Sequence, residues 1–392
     1  MSAAEESNTV EDAEDNEFTL ANSDVCTKYR EAGRIASLAL QGIKSQIVEG
    51  TSVVEICKFG DTVITQACAS IYQKKVKGAS IEKGIAFPTC VSLNEVVCHN
   101  CPLESDSKPV TLKAGDIVKV DLGVHVDGNI AVLAHSFVVG SAPTPEAPIQ
   151  DTTGNLFHCA HIMAEVATKL IRPKRTNEEL TVAWEQIVAA YGVNMMEGTL
   201  SHQMKRYVID GNKVIIGKRD HSMKVDAATF ETNEVYSVDI CLSTGDGKPK
   251  QSEQRTTVFK RAVDKSYRLK MKASRYLFNE MNSKFPTLPF TLRAFEDEKT
   301  ARMGVMECQK HDLVVPYPVL LEKEGVQVVH FKFTVLLLPS GTVRITEGAL
   351  DPSHYASEVE LPGEIKEIMA MSSKTNKKKK NKKKAAATTE AK

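Results

Sequence analysis

The sequence predicts an α/β fold built twice over, with a helical insertion in its second half. Three observations carry this expectation. Asp116-Ile-Val-Lys-Val-Asp121-Leu returns 118 residues later as Glu234-Val-Tyr-Ser-Val-Asp239-Ile. A pair of helix patterns stands ahead of each copy. A stretch between Val263 and Gly325, with four prolines, then breaks the second half apart.

The repeated stretch alternates apolar and polar residues, is rich in β-branched side chains and runs into a glycine turn, Val-Asp-Gly at 126 to 128 and Gly-Asp-Gly at 245 to 247. That pattern reads as a strand entering a hairpin, so two equivalent strands each present a carboxylate. Ahead of the first, Ser23 or Asp24 caps a helix to about 48 whose stripe is Val25, Tyr29, Ala32, Ala36, Ala39, Ile43 and Ile47. Gly50-Thr51 stops it and caps a second helix from Val53 to about Tyr72. The pair returns at 155 to 171 and 177 to 191 across the loop Arg172 to Thr176, and this order at a spacing of about 120 residues indicates two halves around a pseudo-twofold axis. The insertion, about 264 to 325, holds helix patterns at Leu269 to Lys284 and Ala294 to His311, because a structureless loop of that length is rare. The sheet resumes at Val326 to Leu338 and ends at Pro339-Ser340-Gly341.

The 392 residues have a formal net charge of zero, which conceals opposite ends. Residues 1 to 17 hold seven acids and no base, whereas Lys374 to Lys384 holds eight lysines in eleven positions. Such blocks bury nothing and repel themselves, so the folded part is expected at 18 to 365, between an acidic and a lysine-rich tail. No uncharged apolar run reaches about 18 residues and no basic-then-apolar leader opens the chain, which reads as a soluble intracellular protein without membrane insertion. Nine cysteines, an odd number, read as reduced thiols, and Cys98-His99-Asn100-Cys101 as loop cysteines with no second pair.

At this point the chain resembles type II methionine aminopeptidases. The resemblance lies in Asn94-Glu-Val-Val-Cys-His99, Val120-Asp-Leu-Gly123 to Gly128, Leu200-Ser-His202, Glu234-Val-Tyr-Ser-Val-Asp239 and Phe331-Lys-Phe-Thr334, in the family's order over about residues 18 to 350. It implies the duplicated "pita-bread" fold and a paired-metal site of two aspartates, a histidine and two glutamates. Two dications need several anionic oxygens around them. Carried over position by position, Asp121 stands at the first aspartate, Val132 at the second, His202 at the histidine, Asp239 at the first glutamate and Lys332 at the second. Of the two substrate-positioning histidines, His99 is kept and Asp210 replaces the other. Two lost carboxylates and one gained cation shift the site three charges toward positive, so the resemblance implies a catalytically silent relative with no metal and no cofactor. An ammonium at Lys332 is expected beside Asp121 and Asp239, supplying charge that metals would otherwise supply.

The closest fit is the proliferation-associated, or ErbB-receptor-binding, protein family. Phe290-Thr-Leu-Arg-Ala-Phe-Glu-Asp-Glu-Lys299, Arg302-Met-Gly304, Gln254-Arg-Thr-Thr257 and the polylysine end all match it. A Leu-x-x-Leu-Leu helix of that family is replaced by Ile365-Lys-Glu-Ile-Met369, which reads as an ordinary amphipathic end. The resemblance implies ribosome association and roles in ribosome assembly, translation and growth control. Receptor or transcription-factor partners without RNA contact are the rival reading.

Basic segments are the candidate nucleic-acid contacts. Lys260, Arg261, Lys265, Arg268, Lys270, Lys272 and Arg275 face one acid, Asp264, and the spacing of Lys265, Arg268, Lys272 and Arg275 places them on one helical face, with Tyr267 and Tyr276 interleaved for stacking. Arg172 to Arg175 is a smaller basic loop. Lys377, Lys378, Lys379, Lys380, Lys382, Lys383 and Lys384 read as nuclear or nucleolar targeting and as phosphate-binding charge, so cytoplasm, nucleus and nucleolus are the expected compartments. A monomer is expected, because duplication already supplies the two halves a homodimer would provide.

Overall fold

The computed structural model describes residues 17–76, 78–106, 108–219, 224–348 and 351–372. The acidic stretch before 17 and the tail lysines from 374 onward lie outside these residues.

Helices α1 (Ser23–Gln46) and α2 (Val53–Ser70) precede β1 (Lys83–Leu93), β2 (Val96–Cys98), β3 (Ile117–Val126) and β4 (Asn129–Val138). Asn22, rather than Ser23 or Asp24, caps α1 by accepting the Asp24 amide at 2.9 Å. Ser52 rather than Thr51 occupies the cap of α2. The second half repeats the plan with α3 (Asp151–Leu170), α4 (Asn177–Tyr191), β5 (Asn194–Met195), β6 (Leu200–Met204), β7 (Val214–Ile216) and β8 (Val235–Ser243). Thr176 and Glu179 form a reciprocal capping box at the start of α4, and Gly192 ends it in the left-handed region at φ 64°.

One nine-stranded sheet joins the halves in the order β1-β3-β4-β14-β8-β6-β7, where β14 is Val328–Leu338; β15 (Gly341–Arg344) pairs with β14, and β5 with β8. The order reads outward in the same sense from the β4/β14 junction, as a pseudo-twofold axis there requires. β3 and β4 are joined by Asp127 and Gly128, both at positive φ, as a two-residue turn matched to strand twist demands. The equivalent connection between β8 and β14 carries the insertion. Helices α1 and α2 cover the first-half strands and α3 and α4 the second, each pair closing its own apolar core.

At the junction, Lys332 pairs with Ala134. Two hydroxyls flank that pair. Thr334 Oγ1 accepts the Val132 amide at 2.8 Å and donates to the Val132 carbonyl at 3.1 Å. Ser136 Oγ accepts the His330 amide at 2.7 Å and donates to its carbonyl at 3.0 Å. Side chains thus complete a ladder that backbone groups alone leave open.

The insertion begins earlier than residue 264. β10 (Val258–Arg261) is the middle strand of a small sheet with β11 (Phe290–Thr291) and β12 (Val314–Tyr317), packed with α5 (Lys272–Lys284) and α6 (Glu298–Lys310) around Phe259, Leu277, Met281 and Phe290. Its stem returns through β13 (Leu320–Leu321), which pairs with β2 and β9 (Lys250–Gln251) and so walls the concave face of the large sheet. The boundary at 365 falls inside α7 (Gly363–Ala370), whose Ile365 is fully buried in the second-half core with Ile368 and Met369 packed against it. No described helix is long and apolar enough to cross a membrane.

Thr334→Val keeps the shape but removes the acceptor of the Val132 amide, while the Val132 carbonyl keeps the Thr346 hydroxyl at 3.3 Å. A loss of about 1–3 kcal/mol is expected in urea unfolding, and an unchanged midpoint would show that the junction is held elsewhere.

Candidate functional site

Register builds the site. Asp121 on β3 pairs with Ala134 on β4, Ala134 with Lys332 on β14, and Lys332 with Asp239 on β8. Four side chains therefore stand in one row across the sheet. Alternation puts Val132 and His330, each two residues along its strand, on the same face.

Lys332 Nζ lies 2.7 Å from Asp121 Oδ2 and 3.1 Å from Asp239 Oδ2. This is the expected contact. His330, which the sequence reading passed over, places Nε2 2.7 Å from Asp239 Oδ1. Its signal was available, since a histidine two residues before Lys332 must share its face. The Ser201 hydroxyl accepts the Asp239 amide at 2.8 Å and so positions the backbone of the acid. The Phe87 ring centroid is 5.6 Å from the ammonium.

Burial by itself pulls the lysine toward its neutral form, yet Asp121 and Asp239 outweigh it and hold the Lys332 ammonium above the usual lysine range. Burial likewise pushes the Asp239 carboxyl up, and Lys332 and His330 more than reverse this, leaving it below the usual aspartate range. Stabilisation from Asp239 is present above the ordinary aspartate value near 3.8 and is lost as pH falls through its depressed value. That from Lys332 is present below 10.5 and is lost as pH rises through its raised value. The row is thus held together across the neutral range.

A cavity of about 280 Å³ opens above the row, walled by Phe87, Cys98, His99, Ile209, Tyr317 and Leu320. His99, at φ 64°, donates from Nδ1 to the Pro318 carbonyl at 3.1 Å, and burial pushes its pKa down to about 4. His202 sits opposite Ser237, and burial lowers its pKa too, so both imidazoles are neutral at pH 7. Burial pushes the Cys98 thiol up to about 12, making it a wall rather than a nucleophile. Cys101 turns away to Arg293, whose Nη1 is 3.2 Å from its sulfur, and all nine cysteines are free.

These residues do not fit a pair of metal ions. Val132 offers methyl groups where an oxygen ligand is needed, and the Lys332 ammonium stands where a cation would bind its acids. Among the described residues no group of three or more His, Cys, Asp or Glu has the geometry to hold a metal ion. What the arrangement does chemically is neutralise two buried acids by charge and hydrogen bonding.

The basic segment is arranged otherwise than its spacing suggests. α5 starts only at Lys272, because the Glu307 carboxylate of α6 captures the Lys270 and Met271 amides at 2.9 and 3.1 Å and fixes the helix start there. Lys265 and Arg268 therefore precede the helix and share no helical face with Lys272 and Arg275. Lys260 bonds Asp210 at 2.7 Å at the cavity mouth, and Arg261 lies over the Phe278 ring. Lys265 has Asp264 at 3.5 Å. Arg275 donates to the carbonyls of Leu269 and Lys270 at 3.2 and 2.7 Å. Arg268, Lys270 and Lys272 remain exposed, with no carboxylate within 4 Å among the described residues. Tyr267 is stacked on His311 at 3.5 Å, and the Tyr276 hydroxyl accepts the Asp297 amide at 3.4 Å.

Comparison with known proteins places this architecture. Residues 27–254 match the model of metallopeptidase family M24. The chain is 46% identical over 368 residues to ErbB-3 binding protein 1 of Solanum tuberosum, covering 94% of this chain and 92% of that one. It is 41% identical to proliferation-associated protein A of Dictyostelium discoideum and 35% identical to the Curved DNA-binding protein of Schizosaccharomyces pombe, each over 91% of both chains. Among solved structures, a thermophilic Arx1 superposes with a TM-score of 0.84 at 28% identity, over 90% of this chain and all of that one.

Lys332→Met leaves two buried carboxylates without their cation, so a loss of about 3–5 kcal/mol is expected at pH 7 by urea unfolding. The loss should shrink as pH falls toward 4, because without Lys332 the burial that pushes the Asp239 carboxyl up favours its protonation, and adding Asp121→Asn should recover part of it. Equal losses at both pH values would show that packing, not charge, is responsible.

Proposed function

The chain belongs to metallopeptidase family M24 and, within it, to the ErbB-3-binding and proliferation-associated proteins, and on that premise we propose that it is a non-hydrolytic relative of the aminopeptidases that binds structured RNA and ribosomes. The observation that carries the first half is the Lys332 ammonium held between Asp121 and Asp239. Hydrolysis by a paired-metal site needs a cation-bound water beside the scissile carbonyl. Here the acids that would hold the cations already have one.

The binding half rests on unspent positive charge. Arg268, Lys270 and Lys272 protrude together at the root of the insertion, and phosphate backbones are recognised first by such groups. The lysines from Lys377 to Lys384 add charge in a segment outside the described residues. A relative of 35% identity is named for binding curved DNA, which supports a nucleic-acid partner class. Ribosome assembly, translation control and a distribution over cytoplasm, nucleus and nucleolus are parts of this proposal. The second reading, a protein-interaction adaptor, is favoured by the relative named for binding ErbB-3.

Co-sedimentation with ribosomes over a salt series tests the binding. R268E, K270E and K272E together, or removal of residues 374–392, should each weaken binding and flatten its dependence on salt, by a slope of roughly two to three for the triple reversal. Binding indifferent to both changes would favour the adaptor. Lys332→Glu alone should not yield hydrolysis of a Met-Ala-Ser peptide with added Mn or Co, because Val132 still supplies no oxygen. Release of methionine by that variant would refute the account of the site.

A further inference from the structure

Arg268, Lys270 and Lys272, clustered in sequence ahead of and at the start of α5 and without a carboxylate among the described residues, have a candidate partner within the same chain. Residues 1 to 16 carry Glu5, Glu6, Glu11, Asp12, Glu14 and Asp15 and no Lys or Arg. The first described residues lie beside the insertion. Leu20 belongs to one packed cluster with Leu288, four residues past the end of α5, and the Arg206 guanidinium lies 4.4 Å from the Phe18 ring centroid. The first described residues, from Glu17, therefore stand near the C-terminal end of α5.

Distance permits the contact. Thirteen helical residues make α5 about 20 Å long, while sixteen residues of chain span up to roughly 55 Å when extended. The other basic block departs elsewhere, since the chain reaches Ser372 against Arg172 and α7 lies on the second-half helices, with Gln186 Nε2 3.0 Å from Glu364.

We infer that the acidic segment before Glu17 docks on Arg268, Lys270 and Lys272 and competes there with nucleic-acid phosphates. The competition rests on the RNA-binding reading above, whereas the contact itself does not. Carboxylates spaced along a chain present to these cations the same negative oxygens that a phosphate backbone does, but with less charge density, so RNA of sufficient affinity displaces the segment. Both associations weaken as salt rises.

Zero-length carbodiimide cross-linking of the full chain, read by peptide mass spectrometry, tests the contact. Amide bonds from the six acids to Lys270 or Lys272, formed at about 50 mM salt and lost by roughly 300 mM, are expected. Cross-links confined to Lys374 through Lys384, or none, would overturn the inference. A variant carrying E5Q, E6Q, E11Q, D12N, E14Q and D15N tests the competition. It should bind a structured RNA roughly three- to tenfold more tightly at low salt, with the advantage gone when R268E, K270E and K272E are added. Equal affinity of the neutralised and natural chains would overturn the competition. If neither chain binds RNA at low salt, the RNA-binding reading and the competition fail together, and the cross-links still decide the contact.

Discussion

A single ammonium between two carboxylates sets the terms for this molecule. Duplication brings Asp121 and Asp239 to symmetric places beside the central seam, where Asp121 is buried and Asp239 nearly so. Two like charges taken out of water at this separation would each lose several kcal/mol of hydration and repel one another. Lys332 enters the row from β14 and meets both, and His330 takes the remaining oxygen of Asp239. The strand that joins the halves also delivers the cation that pairs with both acids.

That strand is loaded with structural duties along its length. Thr334 and the His330 backbone tie it to β4 through hydroxyl-mediated bonds, while its other edge pairs continuously with β8 from Val328 to Leu336. The insertion leaves the fold after β9 and comes back over β2 through β13 just before this strand begins, so the cavity above the ion row is walled by residues from both halves and from the insertion stem.

Positive charge is divided in the same way between structure and surface. Lys260 is neutralised by Asp210, Arg293 lies against Asp61, and Lys28 and Arg206 clamp Asp127 in the β3–β4 turn. These cations hold the insertion and the N-terminal segment to the body. Arg268, Lys270 and Lys272 have no such duty, which leaves their charge for a partner.

Much was legible in the sequence because it depends on short-range pattern. Apolar periodicity located the helices to within a few residues, alternation with a glycine turn located β3 and β8, the spacing of the repeated motif gave the two halves, and the resemblance to the aminopeptidases placed Lys332 beside Asp121 and Asp239. The cap at Asn22, the start of the insertion at Val258 and the extension of the fold through α7 depend on neighbours remote in sequence. The same limit applies to charge. Residue spacing alone places Lys265, Arg268, Lys272 and Arg275 on one helical face, but a carboxylate 35 residues beyond Lys272, that of Glu307, fixes the helix start, and Asp210, some 50 residues before the segment, takes up Lys260. The sequence by itself determined the duplication, the elements and the presence of a valine at 132 and a lysine at 332, since these follow from residue identity and local period. Only the tertiary structure decided which ions pair, that His330 completes the row and which cations of the 260 to 275 segment lack a carboxylate among the described residues, because an electrostatic partner is set by distance in space and not by position along the chain.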